Sequence, residues 1–144
     1  IIQEPEVFKE VVVNMSNSQI IKNSEAIVSI DARGFIFGSA ISLQSMKPMV
    51  VARKPGKLPG EIIKQNYNLE YGENSLSLQK SALNKFNSYA IVDDLLATGG
   101  TVNCVSDILH KYGKRVVGLV TVVELRELNG RSKFDFPVES SISF

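Results

Sequence analysis

Cysteine and histidine are almost missing from this chain, with Cys104 and His110 the only ones. One cysteine cannot close an intramolecular disulfide, and a single Cys and a single His on one stretch have no second metal ligand nearby, so both are read as structural. Charge of one sign is lacking as well. The 16 basic and 15 acidic residues leave a formal net charge of +1, which gives no broad positive field for a nucleic acid backbone. No apolar run approaches the roughly 18 residues of a membrane span, and no basic segment followed by an apolar one marks a secretion signal. What remains is 144 residues, 44% hydrophobic and 22% charged, enough for one sizeable core. The expectation is a single domain over residues 1–144, cytoplasmic, with neither membrane nor nucleic acid as a partner.

Strands alternate with helices along the chain. Pro5 suits a first helical residue, and Val7, Phe8, Val11, Val12 and Met15 recur at helical spacing before Asn17. Ala26–Ile30 is a short apolar run stopped by Asp31-Ala32-Arg33-Gly34, and Phe35–Met46 fits a helix. Met49–Ala52 is a second strand, Tyr89–Val92 a third, Gly100–Tyr112 a helix ended by Gly113, and Arg115–Val123 a further strand. Apolar runs that do not alternate, separated by helices, predict an α/β fold with a parallel sheet covered on both faces.

Residues 53–80, RKPGKLPGEIIKQNYNLEYGENSLSLQK, break the rhythm with prolines, glycines and basic residues, followed by two polar, partly alternating segments around Tyr71-Gly72-Glu73-Asn74. They read as an exposed antiparallel hairpin on a basic loop, because two-sided burial does not suit their polar residues. A protruding loop over about 57–80 is the kind of element that closes over a ligand.

The stretch AIVDDLLATGGT, residues 90–101, carries the chemistry. Thr98-Gly99-Gly100-Thr101 falls between a strand and a helix, where unpaired backbone N–H groups and the positive end of the helix dipole favour an anion and glycine lets the backbone approach it. The Walker pattern with its Lys is absent, as is the G-x-G-x-x-G dinucleotide fingerprint. Asp93 and Asp94 add acceptors beside this cradle, useful when one ligand carries both a phosphate and hydroxyl groups or brings a hydrated cation. Alone, T-G-G-T is most often a turn, and two Asp at a strand end are often solvated or capping. Together, after an apolar strand, they fit a sugar phosphate.

That conjunction resembles the binding signature of the type I phosphoribosyltransferases. Ile30-Asp31-Ala32-Arg33-Gly34-Phe35-Ile36-Phe37-Gly38 upstream, Arg53-Lys54-Pro55-Gly56-Lys57-Leu58-Pro59-Gly60-Glu61 between, and Leu69-Glu70-Tyr71-Gly72 are similar, in the same order, to the adenine branch of that family. The resemblance implies a Rossmann-like parallel sheet flanked by helices with a protruding, flexible antiparallel hairpin. It also implies transfer of the 5-phosphoribosyl group of phosphoribosyl pyrophosphate to adenine in purine salvage, yielding AMP and pyrophosphate.

The same resemblance implies the site. Ala97, Thr98, Gly99, Gly100 and Thr101 hold the 5-phosphate, while Asp93 and Asp94 face the ribose hydroxyls and favour the cationic character that develops at the anomeric carbon. Asp31-Ala32-Arg33-Gly34 corresponds to the pyrophosphate loop, with a non-proline cis peptide between Asp31 and Ala32. Arg33, Arg53, Lys54 and Lys57 surround the pyrophosphate with positive charge. Glu70 on the hairpin is the acid assisting proton movement at the purine, Tyr71 closes over the ligand, and Leu95 lies against one face of the base. Mg2+ is implied as cofactor, held mainly by substrate and water with no direct protein ligand. A homodimer is implied as well.

The adenine branch also carries a small hood segment before the helix that starts near Pro5, and this chain begins at Ile1, where the hood ends. One wall of the base pocket is therefore expected to be missing, and adenine follows from the branch rather than from base-contacting residues. The alternatives are a sister enzyme acting on hypoxanthine, guanine or xanthine, a sensor of phosphoribosyl pyrophosphate that regulates transcription, or a sugar-phosphate-binding fold without catalysis. A sensor predicts a DNA-binding domain and a basic face, and the sequence has neither.

Overall fold

The computed structural model describes residues 1–69 and 72–144, so the expectations for Glu70 and Tyr71 lie outside the described residues. Five parallel strands form the central sheet in the order β2-β1-β5-β6-β7, with β1 Ala26–Ile30, β2 Met49–Ala52, β5 Ser88–Leu96, β6 Arg115–Glu124 and β7 Val138–Ser143. A separate antiparallel pair, β3 Ile62–Leu69 and β4 Gly72–Gln79, is the expected hairpin. The helices are α1 Pro5–Ser16, α2 Gln19–Lys22, α3 Gly34–Ser45, α4 Lys80–Leu83 and α5 Gly100–Lys111.

The strands read as unbroken apolar runs because each face of the sheet meets its own layer. Ala26, Val28 and Ile30 of β1 join Tyr89 and Ile91 of β5 in a core with Val105, Ile108 and Leu109 of α5. The alternate residues Ile27, Ala90 and Val92 pack instead with Val12 and Met15 of α1, Ile20 and Ile21 of α2, and Phe37 and Ile41 of α3. Each fully buried Ile or Leu contributes on the order of 1.5–3 kcal/mol of transfer free energy, so the two layers supply most of the drive to fold. Helix α3 lies so close to β1 that a Cβ at Gly38 would overlap the Ser29 hydroxyl. Gly113, at φ +70°, ends α5 in the left-handed conformation that glycine adopts at no steric cost, and Lys114 N–H donates to Leu109 O at 2.9 Å.

Three expectations need correction. The strand expected at Tyr89–Val92 runs on to Leu96, because parallel pairing with β6 carries it through Asp93 opposite Thr121 and Leu95 opposite Val123. The hairpin is not exposed along its length. Ile63, Leu76 and Leu78 are buried against α5 and the sheet, and Arg53 pairs backbone to backbone with Ser77, so the base of the hairpin is part of the core. On β3 the exposed Lys64 and Asn66 alternate with more buried neighbours, whereas on β4 Leu76, Ser77 and Leu78 are all buried, the Ser77 hydroxyl donating to Arg53 O at 2.9 Å. Finally β7, Val-Glu-Ser-Ser-Ile-Ser, has no counterpart in the sequence reading, since a mostly polar edge strand carries little hydrophobic signal.

Candidate active site

The chain leaves β1 toward α3 on one face of the sheet and leaves β5 toward α5 on the other. Between two adjacent parallel strands whose connections diverge in this way a crevice opens at their carboxyl ends. A cleft of about 410 Å³ lies there, within the size range of small-molecule sites. It brings together Asp31, Ala32 and Arg33 from the end of β1 with Asp93, Asp94, Leu95, Ala97, Thr98, Gly99 and Thr101 from the end of β5. Ile30, Leu96 and Val102 complete the lining, three apolar neighbours the motifs did not single out.

At the β5 end, Gly99 takes φ +79° and leads directly into α5, whose N-terminus has no side-chain cap. The first N–H groups of a helix have no partner within it, so this end presents donors and a partial positive charge. Gly100 is the first residue of α5 and does not itself line the cleft.

The two carboxylates differ. Asp93 is 8% exposed, and its Oδ1 accepts the Asp94 N–H at 2.9 Å. Burial pushes its carboxyl up to about 8 and the neighbouring Asp94 carboxylate adds to the rise, against the lowering effects of that N–H and of Arg33. Asp94 is more open and accepts from Arg33 Nε at 2.6 Å. Burial thus favours the protonated form of Asp93 over the second charge that the sequence implies.

The Asp31–Ala32 peptide is cis, as the resemblance implies. Arg53 reaches toward this loop, its Nε 3.4 Å from Asp31 Oδ2 and its guanidinium 5.9 Å from the centroid of the Phe35 ring. It also donates from Nη1 to Lys57 O at 3.4 Å, while Lys54 and Lys57 are exposed and outside the lining of the cleft. Among the described residues, no group of three or more His, Cys, Asp or Glu side chains could hold a metal ion. Cys104 is buried in α5 and pushed up to about 11 by burial, so it behaves as a small hydrophobe. No helix among the described residues is long and apolar enough to cross a membrane.

Motif reading included Gly34 without a reason for it and passed over two residues beneath the site, Glu124 and Arg131. Gly34 leaves room for Asp93, since a Cβ there would stand 2.8 Å from Asp93 Oδ1. Glu124 and Arg131 form an ion pair behind the Ala97–Gly99 loop, and only the tight turn between them, invisible to a spacing rule, brings them together.

A family model described as a phosphoribosyl transferase domain matches residues 7–142. An adenine phosphoribosyltransferase of Prochlorococcus marinus (strain MIT 9515) is 72% identical over 144 residues, covering 100% of this chain and 84% of that protein. Among solved structures, adenine phosphoribosyltransferase from Thermoanaerobacter pseudethanolicus superposes with a TM-score of 0.90 at 34% identity, over 99% of this chain and 84% of that one. The Saccharomyces cerevisiae adenine phosphoribosyltransferase, solved with an imino-altritol bisphosphate and adenine, gives a TM-score of 0.86 at 30% identity over 97% of this chain and 82% of that one.

Proposed function

The chain belongs to the phosphoribosyltransferase family, and on that premise we propose that it is the adenine-specific enzyme of purine salvage. It joins adenine to phosphoribosyl pyrophosphate, giving AMP and pyrophosphate. The bond from the anomeric carbon to pyrophosphate breaks, a bond from that carbon to a purine nitrogen forms, and the nitrogen loses its proton. The observation that carries this reading is one cleft in which an uncapped helix N-terminus stands beside Asp93 and Asp94, so that phosphate and sugar hydroxyls are met by complementary groups.

Each residue has a task. The N–H groups of Ala97–Thr101 and the hydroxyls of Thr98 and Thr101 hold the 5-phosphate. Asp94 and Asp93 accept from the ribose hydroxyls and stabilise positive charge at the anomeric carbon. The Asp31–Arg33 loop binds pyrophosphate, with Arg53, Lys54 and Lys57 adding positive charge around it, and Leu95 lies against the base. Glu70 moves the proton at the purine ring and Tyr71 shields it, both assigned on the Leu69-Glu70-Tyr71-Gly72 resemblance alone.

Mg2+ fits this donor set. The carboxylates of Asp31 and Asp94, both lining the cleft, would orient through water an ion held mainly by substrate oxygens. When bound it neutralises pyrophosphate and makes it a better leaving group. A single domain over residues 1–144 is supported by one sheet with a core on each face. Exposed Leu43 and Met46, on and just after α3, support a homodimer.

The test is pyrophosphate release from phosphoribosyl pyrophosphate with Mg2+, comparing adenine with hypoxanthine, guanine and xanthine. Turnover with adenine alone is expected. Turnover with another base makes it a sister enzyme, and tight binding of phosphoribosyl pyrophosphate without turnover makes it a sensor.

A further inference from the structure

The turn that follows β6 contributes nothing to the lining of the cleft, yet the 5-phosphate loop rests on it. A Cβ at Gly130 would overlap the Ala97 carbonyl oxygen and stand 3.0 Å from Gly99 N and 3.1 Å from Leu96 Cδ1. Seen from the loop, a Cβ at Gly99 would stand 2.9 Å from both Gly130 O and Phe134 Cζ. Leu125 N–H donates to Leu96 O at 2.9 Å, tying the strand before the loop to the strand before the turn. The backbone of Ala97–Gly99 therefore lies directly on the backbone of Gly130, at a separation only glycine permits.

What fixes Gly130 is a fork–fork ion pair. Glu124, at the end of β6, is 3% exposed. It accepts from Arg131 Nε at 2.8 Å through Oε1, and from Arg131 Nη2 and Ser140 Oγ through Oε2. Arg131 Nη1 donates to Val138 O at 2.8 Å. All three guanidinium nitrogens are thus engaged, and the hydrogen bonds from Arg131, aided by Ser140 and the paired charge, hold the Glu124 carboxyl below its ordinary value. Arg131 is not a ligand for the anion in the cleft. Its fork, closed on a buried carboxylate and on β7, determines where residues 129–131 sit, with Asn129 at φ +50° making the bend.

We propose that Glu124, Gly130 and Arg131 are positioning residues that set the conformation of the 5-phosphate loop and hence the affinity for the phosphate of the ribosyl substrate. The identity of that ligand rests on the function proposed above. A pair that only fastens β7 to β6 would affect stability and leave phosphate affinity alone, and this contrast gives the test.

Gly130→Ala and Arg131→Lys are compared with the unaltered chain by titration calorimetry with ribose 5-phosphate, by KM for phosphoribosyl pyrophosphate and for adenine, and by melting temperature. A loop displaced by a fraction of an ångström weakens ribose 5-phosphate in Gly130→Ala by about ten- to a hundredfold. KM for phosphoribosyl pyrophosphate rises in parallel and KM for adenine stays put. Arg131→Lys keeps the charge but loses the fork, and gives a smaller change of the same kind, about three- to tenfold. Unchanged ribose 5-phosphate affinity in the folded variants overturns the proposal, whatever happens to their melting temperatures. Should Gly130→Ala not fold, Arg131→Lys decides by the same titration. Because ribose 5-phosphate binding needs no turnover, a chain that releases no pyrophosphate with any base refutes the enzyme reading and still leaves the role of the turn to be measured.

Discussion

The loop after β1 and the loop after β5 face each other across one cleft, yet the first is held largely by charges and the second by packed backbone. Arg33 pairs with Asp94 through a side chain that is 72% exposed, and Arg53 reaches Asp31 at 3.4 Å. The guanidinium side of each pair is open to water, 72% exposed in Arg33 and 36% in Arg53, and water-screened pairs are worth about 0–1 kcal/mol, so a polyanion can exchange them for its own contacts at little cost. The β5 loop has no charged side chain between Ala97 and Thr101 and lies against Gly130. The difference matches the ligands proposed for the two loops. Pyrophosphate arrives bound to the substrate and departs alone, which suits an adjustable site. The 5-phosphate stays on the sugar throughout, which suits a fixed one.

The comparison breaks most visibly at Gly99. Gly99→Ala puts a side chain where φ is +79° and where Gly130 O and Phe134 Cζ each stand 2.9 Å from the new Cβ. Strain there is on the order of 1–3 kcal/mol, and displacement of the loop lowers kcat/KM for phosphoribosyl pyrophosphate by about a hundredfold or more, read by pyrophosphate release. An activity within threefold of the unaltered chain contradicts a rigid β5 loop. Arg33→Gln probes the adjustable loop. Thermal unfolding of the ligand-free variant changes by less than about 1 kcal/mol. KM for phosphoribosyl pyrophosphate rises about tenfold, the loss of one charge-assisted contact. If instead the ligand-free protein is strongly destabilised, Arg33 is a structural element and the contrast between the loops fails.

Much of this architecture was legible in the sequence because the deciding signals are local. Unbroken apolar runs such as Ala26–Ile30 announce two-sided burial, and the small residues after Leu96 announce a helix N-terminus free to meet an anion. Pairing partners are not local. β5 continues through Asp93 and Asp94, poor strand formers, because β6 supplies the hydrogen bonds, and no propensity reads that. Ile63, Leu76 and Leu78 of the hairpin look like the apolar side of a surface ribbon until α5 is seen to cover them. Glu124 and Arg131, seven residues apart, have the spacing of two helical turns but sit at a strand end and in a short turn, so the spacing misleads, and Gly130 shows its purpose only when Ala97 is found against it. The charge of the Asp93–Asp94 pair was illegible for the same reason. Two adjacent carboxylates imply two charges, and only the burial seen in the fold shows that Asp93 favours its protonated form.

The raised Asp93 carboxyl gives the gentlest test of the contrast between open and packed elements. Asp94 faces the adjustable loop, while Asp93 is packed beneath Gly34. In the folded, ligand-free protein the Asp93 carboxyl is raised to about 8 from an ordinary value of 3.8, so between those pH values the folded chain holds a proton that the unfolded chain has released. Stability from this group is therefore full below the unfolded value and is lost as pH rises toward 8, at no more than about 1.4 kcal/mol per pH unit. Asp93→Asn cannot titrate. Its denaturation midpoint, compared with that of the unaltered chain from pH 5 to pH 9, gains on the unaltered chain as pH rises and levels off above about 8. Asp94→Asn, which alters the more open member of the pair, leaves most of that dependence in place. Parallel midpoints for Asp93→Asn and the unaltered chain across the range place Asp93 in water, and the packed side of the cleft would then be no more enclosed than the loop opposite.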